Sequence, residues 1–225
     1  MGVAGRGAVA IWHDIAPEGR DAFYAWHGGE HMPERASIPG FLRGRRYVAI
    51  EGEPEFFNLY ETTSTAVLTG PDYLARLNAP TPWTTSTVKH FRRVARSLCS
   101  VACSEGCGDG GLVATYRYDV SEKSANAHRA RMAQRLRTVA SEAGIAGAHL
   151  LIADPEGSAI ETAEKRARSE GTLIPRWIVL LEGWGDVDPF VAFAKRFAED
   201  AAFADASPRP ACAVYRLQNT RAAPR

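Results

Sequence analysis

Two histidines and a glutamate lie within five residues of one another near the N-terminus, in the stretch WHGGEHMPER. His27, Glu30 and His31 fit the H-x-x-E-H pattern of inverted zinc proteases. On a helix, His27 and His31 would share one face and could bind a single metal ion. Glu61 or His13 would then have to supply the third ligand of a divalent metal.

The glycines and the proline of this stretch argue against a zinc protease. Gly28 and Gly29 each cost a helix roughly 1 kcal/mol relative to alanine, whereas a metal site needs a stiff helix. Pro33 disfavours helical backbone at the preceding residue, so we expect the helix to end just after His31. We therefore predict no resident metal, and a metal-dependent enzyme remains an alternative.

Proton transfer without a cofactor suits a histidine pair beside a cavity. Glycine lets the backbone approach a ligand closely, and the helix C-terminus favours a charged imidazole. We predict His31 as the catalytic acid or base, His27 as its assistant, and Glu30 or Glu34 as the group that orients it. The alternative is that both histidines only cap the helix or lie at the surface.

Substrate-binding residues are predicted on the segments around this helix. Aromatic residues could form the wall of a cavity, and an arginine could hold an anionic oxygen. His13 lies on an apolar strand face, where a histidine satisfied inside the core is the plain alternative. Tyr60 and Glu61 are neighbours on a strand and must point to opposite faces. The predicted set comprises aromatic, cationic and acidic side chains: His13, Trp26, Arg35, Arg45, Tyr60, Glu61 and Trp83.

The elements that must position these residues occur twice in the same order. The stretch CSEGCGDGG, residues 103–111, has four glycines and no large apolar residue, as expected of a linker. On each side of it, segments typical of strands and helices follow the order β-α-β-β-α-β. That order defines a ferredoxin-like unit, whose sheet has one bare face to bury. We predict an α+β fold in which two tandem ferredoxin-like repeats, residues 1–105 and 110–225, close into one pseudo-dimeric α+β barrel.

The two halves differ most in their first helix. The chemical residues concentrate in the first half, whereas the second-half helix SANAHRARMAQRLRTVASEAG is rich in alanine and arginine. We therefore predict that the first repeat carries the site and the second is structural. The second half also has an extra segment, DPEGSAIETAEKRARSEGTLIP, expected to be a solvated insertion with a helix over residues 158–169 and a Glu161/Lys165 pair.

The overall composition excludes several classes of function. A net charge of +1 over 225 residues gives no basis for binding nucleic acid or a membrane surface. No apolar run is long enough to span a bilayer, and the N-terminus lacks the apolar region of a secretory signal. We therefore expect a cytoplasmic protein whose four cysteines are unligated thiols.

The first half resembles a known family. The stretches WHGGEHMPERASIPGFLRGRRYVA, FFNLYET and YLARLNAPTPWT are similar to the dimeric α+β barrel superfamily, near its EthD-like branch. That branch often shows the pattern H-(L/M)-P-E-R-x-x-x-P-G-F, and the similarity covers residues 8–101. The pattern would be carried here by His31, Met32, Pro33, Glu34, Arg35, Pro39, Gly40 and Phe41.

The resemblance implies the same fold, with a small-molecule cavity between the sheet and the helices of one half. It implies an EthD-like enzyme without cofactor: an isomerase, cyclase, decarboxylase or cofactor-free monooxygenase acting on an aromatic or unsaturated oxo-acid. Related families also include haem enzymes, so a haem protein with His149 or His31 as axial ligand is an alternative. A non-catalytic ligand-binding or stress-response protein is another, and the fused barrel could pair into a homodimer.

Overall fold

Eight antiparallel strands close into one barrel in the computed structural model, which describes residues 2–224. Around the barrel the strands follow the order β1-β3-β2-β8-β5-β7-β6-β4. The strands are β1 (Gly7–Ile15), β2 (Phe41–Glu51), β3 (Phe56–Thr62), β4 (Phe91–Gly106), β5 (Leu112–Tyr118), β6 (Ile145–Asp154), β7 (Trp177–Gly183) and β8 (Ala211–Ala222).

Helices cover the outside of the barrel. The α-helices are α1 (Arg20–Trp26), α2 (Met32–Ala36), α3 (Pro71–Asn78), α4 (Pro82–Val88), α5 (Glu122–Val139), α6 (Pro155–Ala159), α7 (Ala163–Arg166) and α8 (Val187–Phe197). A π-helical turn, His27–His31, joins α1 to α2. Single 3-10 turns lie at Pro17–Gly19, Thr65–Thr69 and Ala201–Phe203.

Each half of the chain forms a ferredoxin-like sheet. In the first half the strands lie in the order β4-β1-β3-β2, and in the second half in the order β6-β7-β5-β8. The two sheets join along antiparallel seams, β2 with β8 and β4 with β6. The predicted α+β fold, two fused ferredoxin-like repeats in one pseudo-dimeric barrel, is confirmed.

The bare faces of the two sheets meet in the barrel interior, where they share one core. Trp12, Tyr47 and Phe57 come from the first half, and Leu180 and Tyr215 come from the second. Trp12 stacks on Phe57 with ring centroids 4.9 Å apart. Burying side chains of this size contributes about 1.5–3 kcal/mol each, so this core holds the two halves together.

A buried ionic cluster lies in the barrel at one end of this core. Arg45 donates to both carboxylate oxygens of Glu182, at 2.8 and 2.9 Å. It also lies 2.8 Å from Glu61, which Arg43 binds at 2.9 Å. These side chains share the interior face with Tyr47, because alternate strand residues point the same way. The sheet therefore separates Arg45 from the helices.

The linker between the halves is shorter than predicted. β4 continues to Gly106 because residues 103–106 pair with β6. The connection to β5 is thus residues 107–111.

The second-half insertion folds over the first half instead of extending into solvent, which corrects the expectation above. It forms α6 and α7, and Ser158, Thr162 and Glu164 are buried. The backbone of Leu173 exchanges hydrogen bonds with β4, in the first half. The predicted pair does form, with Lys165 Nζ 2.6 Å from a Glu161 carboxylate oxygen. The insertion is polar although partly buried, because it covers charged residues of the first half such as Arg35.

Two expectations from composition concern cysteine chemistry and membrane spans. Cys99, Cys103 and Cys212 are free thiols, as expected. Across residues 2–224, no helix combines the length and the apolar character needed to cross a bilayer.

Candidate active site

A widened helical turn carries both histidines of the WHGGEH stretch. The amide of Met32 bonds to the carbonyl of His27, five residues back, instead of four. The extra residue in this turn accommodates Pro33, which lacks an N–H, so the helix continues to Ala36. The expectation that the helix ends after His31 is therefore wrong, and His31 is not at a helix C-terminus.

The two glycines of the turn are not required by close packing. A Cβ at Gly28 or Gly29 would meet its nearest neighbour at 3.9 or 3.6 Å, an ordinary contact distance. They lie in the π-helical turn itself, a feature frequent at functional sites.

Both ring nitrogens of the buried His27 have partners. The guanidinium of Arg46 lies 3.3 Å from Nδ1, and the Tyr60 hydroxyl lies 3.1 Å from Nε2. Since a guanidinium can only donate, neutral His27 must hold its proton on Nε2 and donate it to Tyr60. Burial lowers the pKa of His27 well below its ordinary value, helped by His31 and Arg46, so the ring is neutral at physiological pH.

His31 is buried, but its Nδ1 has no hydrogen-bond partner in the described part of the chain. Its ring centroid lies 4.3 Å from that of Trp26 and 5.5 Å from that of His27. Burial, with the positive charges of Arg35 and Arg168, lowers the pKa of His31 well below its ordinary value. A neutral imidazole with an unpartnered nitrogen can accept a proton from a molecule that reaches it.

Positive charge dominates the surroundings of the histidines. Arg35 binds Glu164 closely and binds Glu34 at 3.0 Å. Arg168 lies 3.6 Å from Glu164 and has a side chain only 5% exposed. Arg35, Arg96 and Arg168 are poorly exposed and share this region with the carboxylates of Glu34 and Glu164, while Arg46 lies beside His27 and binds Gln218. Such a surplus favours an anionic ligand.

Tyr60 joins the histidine pair to this charged region. Its hydroxyl contacts His27, as described, and burial raises its pKa despite the positive charge of Arg35. Its neighbour Glu61 points into the barrel, where it contacts Arg45. Tyr60 and Glu61 therefore lie on opposite faces of the strand, as predicted. A protonated phenol held by His27 can donate its own hydrogen bond to a ligand.

Glu30 binds α4 and not His31, so its predicted orienting role is wrong. Its carboxylate accepts hydrogen bonds from the hydroxyls of Thr81, at 2.6 Å, and Thr84, at 3.1 Å. The indole of Trp26 donates to the same Thr84 hydroxyl at 3.0 Å. Glu30 thus ties α4 to the π-helical turn. Glu34, the other candidate, is occupied by Arg35.

His13 is a satisfied core residue, and the structure contradicts a substrate-binding role for it. Its Nε2 lies 3.0 Å from the amide nitrogen of Asn58, and its Nδ1 lies 3.2 Å from the carbonyl of Asp14. The ring stacks on Phe91 with centroids 4.3 Å apart. Burial lowers the pKa of His13 to about 3.

Arg45 and Glu61 are likewise corrected, because both lie in the barrel interior on the other side of the sheet from α1. Trp83 is 42% exposed on α4, beside Gly29, and forms no enclosed wall. Of the predicted substrate-binding set, Trp26, Arg35 and Tyr60 are the residues that adjoin the histidine pair.

Sequence reasoning missed several residues of this region. Arg46 was not among the candidates, and alternation along the strand places it only on the face opposite Arg45. Glu164 and Arg168 lie on the insertion, where nothing in the local pattern points to the first half. The second half also has a histidine–tyrosine pair, with His128 Nε2 2.9 Å from the Tyr118 hydroxyl.

A large cavity lies away from the histidines. It measures about 710 Å³ and lies on the second half, where Trp184, Phe190 and Phe193 are among its lining residues. Its ionisable lining residues are Glu142, Asp186 and Arg196, and neither His27 nor His31 lines it. Beside Glu164 and Arg168 there is only a closed cleft of about 10 Å³, enough for about one water molecule.

The residues present do not fit haem. His149 lies under the N-terminal segment, where a Cβ on Gly2 would come within 2.3 Å of its ring, leaving no room for a porphyrin. The ring of His31 is packed among the rings of Trp26, His27 and Tyr60. Within residues 2–224, no group of three His, Cys, Asp or Glu side chains is placed to hold a metal ion. The packing around His149 does not fit the axial-ligand alternative.

Comparisons with known proteins identify the fold. No protein-family model and no curated protein matches the sequence. Among solved structures, the chain is similar to an anthrone oxidase-like protein, with a TM-score of 0.65 and 11% identity over 98% of this chain and 94% of that one.

Two further solved structures are described as candidate monooxygenases. One, from Fusobacterium nucleatum, gives a TM-score of 0.59 and 8% identity, covering 98% of this chain and 96% of that one. The other, from Lactobacillus acidophilus, gives 0.57 and 10%, covering 97% of each chain. At such identities the likeness shows the fold alone, which is that of the dimeric α+β barrel proteins. The EthD-like branch stays a prediction.

Proposed function

We propose that this protein is a small-molecule enzyme in which His31 accepts a proton from an anionic substrate, without a cofactor. The observation that supports this most is the neutral, buried His31 with an unpartnered Nδ1 beside a surplus of arginine charge. A general base must be uncharged at the working pH, so that its lone pair can accept the proton. The anion that forms is stabilised by nearby cations. An aromatic or unsaturated oxo-acid meets these requirements, because it supplies a carboxylate and an acidic C–H bond.

Each neighbouring side chain has a role in this proposal. His31 removes a proton from the carbon beside the substrate carbonyl; the C–H electron pair forms the C=C bond, and the C=O π pair moves to the oxygen to give an enolate. Arg35 stabilises the negative charge, and Trp26 packs against His31 and the substrate ring. Tyr60, held by His27, donates a hydrogen bond to the enolate oxygen. Isomerisation, cyclisation, decarboxylation or oxygenation can each follow from an enolate.

The test is proton exchange on enolisable aromatic oxo-acids. We expect the wild-type protein in D₂O to accelerate deuterium incorporation at C3 of phenylpyruvate or C2 of benzoylacetate, followed by ¹H NMR. His31→Gln should lose about 10²–10⁴-fold of that acceleration, the usual contribution of a general base. His128→Gln is the matched control, because His128 is buried as His31 is and pairs with a tyrosine hydroxyl as His27 does, but lies in the second half.

Two outcomes would contradict the proposal. Equal exchange rates for wild type and His31→Gln would remove His31 from the reaction. Absence of exchange on both compounds, with binding retained, would instead favour the non-catalytic ligand-binding alternative.

The oligomeric state and the cellular location stay predictions. A homodimer of the fused barrel is checked by light scattering, which distinguishes the mass of one chain from that of two. A cytoplasmic location is checked by cell fractionation.

A further inference from the structure

A carboxylate from the second half reaches the charged region of the first. Glu164 lies on α7, in the insertion, and is 5% exposed. It binds the guanidinium of Arg35 closely, and its other oxygen lies 3.6 Å from Arg168. The two halves of the chain therefore complete one site together.

The charges around Glu164 are not balanced. Three poorly exposed arginines, Arg35, Arg96 and Arg168, lie near Glu164, and Glu34 is the second carboxylate on Arg35, so three cations face two anions. Within residues 2–224, Arg168 Nε has no hydrogen-bond partner although it is buried. Arg96 is held by a neutral group, the Tyr73 hydroxyl, at 3.0 Å. The region can therefore accept a second carboxylate, or exchange Glu164 for one.

We propose that Arg35 and Arg168 form the carboxylate-binding subsite of the His31 site, and that Glu164 occupies this subsite until a substrate carboxylate displaces it. The ligand class is an aromatic monocarboxylate, with its acid group on the two guanidiniums and its ring toward Trp26 and His31. The chemistry after binding rests on the proposed function, but the binding itself does not.

The geometry of the insertion suits such an exchange. α7 is four residues long, and Ala163 N donates to the Asn78 side chain at 3.2 Å at its start. Leu173 anchors the far end of the insertion to β4 through backbone hydrogen bonds. The cleft beside Glu164 measures about 10 Å³, so a ligand gains access only when α7 moves. A ligand carboxylate then restores the charge-assisted bonds that Glu164 gives up.

The experiment measures benzoate binding by calorimetry at pH 7.5. In Glu164→Gln the internal competitor is neutral, so we expect benzoate to bind at least tenfold more tightly than in wild type. Glu161→Gln is the matched control on the same segment, because Glu161 is exposed and pairs only with Lys165 in the described structure. Arg168→Gln should abolish the gain when combined with Glu164→Gln, and neutral benzamide should not bind.

Several results would overturn the proposal. Benzoate binding no tighter in Glu164→Gln than in Glu161→Gln would show that Glu164 does not compete, and equal binding of benzamide would show that charge is not recognised. If Glu164→Gln does not fold, hydrogen exchange on the wild type decides. Saturating benzoate should speed exchange of the α7 amides at least several-fold, and unchanged exchange would refute displacement.

Benzoate binding at this subsite can be tested independently of the proposed catalytic role of His31. His31→Gln should keep measurable benzoate binding, whereas Arg168→Gln should lose it, because His31 lies toward the ring of the ligand and not toward its carboxylate. Benzoate binding that follows the expected order, without exchange on the oxo-acids, would therefore leave the subsite in place and reject the catalytic role.

Discussion

Arg45 is expected to stabilise the barrel and to take no part in the candidate site. Its guanidinium is 2% exposed and binds Glu182 through two hydrogen bonds of 2.8 and 2.9 Å. Arg45→Met keeps similar length and volume but removes the charge. Glu182 would then keep only His149, at 3.5 Å, and the Gly110 amide, at 3.1 Å, of its described partners.

The expected loss of stability follows from this geometry. Removing one partner of a buried ion pair costs about 3–5 kcal/mol, because the other charge stays buried and uncompensated. For a chain of this length, each kcal/mol lowers Tm by about 2–4 °C. Arg45→Met should therefore lower Tm by roughly 6–20 °C.

The pH dependence of this loss has a definite sign. Burial alone would raise the pKa of Glu182, but hydrogen bonds from His149 and Arg45 hold it well below the ordinary 4.5. That pairing stabilises the wild type above pH 4.5, and the stabilisation is lost as pH falls. Without Arg45 the pKa of Glu182 rises, and the carboxyl can take up a proton. The Tm difference between wild type and Arg45→Met should therefore shrink toward acid pH.

Thermal denaturation followed by circular dichroism, at pH 8 and at pH 5, measures both effects. Arg129→Met, a substitution at an exposed arginine of α5, is the matched control and should leave Tm nearly unchanged. The double variant Arg45→Met/Glu182→Gln should recover part of the loss. A change of less than about 1 kcal/mol in Arg45→Met, with weaker benzoate binding, would place Arg45 in the ligand site and refute this reasoning.

Further predictions concern the buried histidines and the exposed tryptophan. Tyr60→Phe leaves the His27 Nε2–H without its partner, so urea unfolding should show a loss of about 1–3 kcal/mol; no loss would contradict the buried hydrogen bond between His27 and Tyr60. Burial lowers the pKa values of His13, His27 and His31, so the unfolded chain takes up protons that the folded one does not as pH falls below 6.5. Stability should then fall by about 1.4 kcal/mol per pH unit for each histidine, and His13→Gln should reduce this slope measurably in urea titrations. Trp83→Ala should change stability by less than about 1 kcal/mol and leave the exchange rate intact; a large loss of exchange would make Trp83 part of the site.

The fold could be predicted because its information is local and repeated. Strand and helix periodicity occurs twice in the order β-α-β-β-α-β, and a sheet with one bare face needs a partner. The sequence predicted that His31 lies beside a cavity, whereas its ring is packed among those of Trp26, His27 and Tyr60. The π-helical turn was not predicted, because the local rule for Pro33 ignores a widened turn that relieves the clash.

The remaining site residues depend on information that is not local. Alternation places Arg45 and Arg46 on opposite sides of β2, but it does not tell which side faces the barrel interior. The polar composition of the insertion predicted a solvated segment. Its Glu164 and Arg168 are instead poorly exposed and form ion pairs, Glu164 with Arg35 and Arg168 with Glu164. Glu30 fails as an orienting residue because its partners, Thr81 and Thr84, lie more than fifty residues later in the chain.

The central claim is that His31 is an uncharged base inside the fold, and histidine NMR tests it most directly. The six histidines are labelled with ¹⁵N, and His31→Gln assigns the His31 signals. As pH is lowered through 6.5, the account predicts that the His31 ring nitrogens keep the shifts of a neutral imidazole, as those of His13 do. Protonation of His31 at or above pH 6.5 would contradict the account.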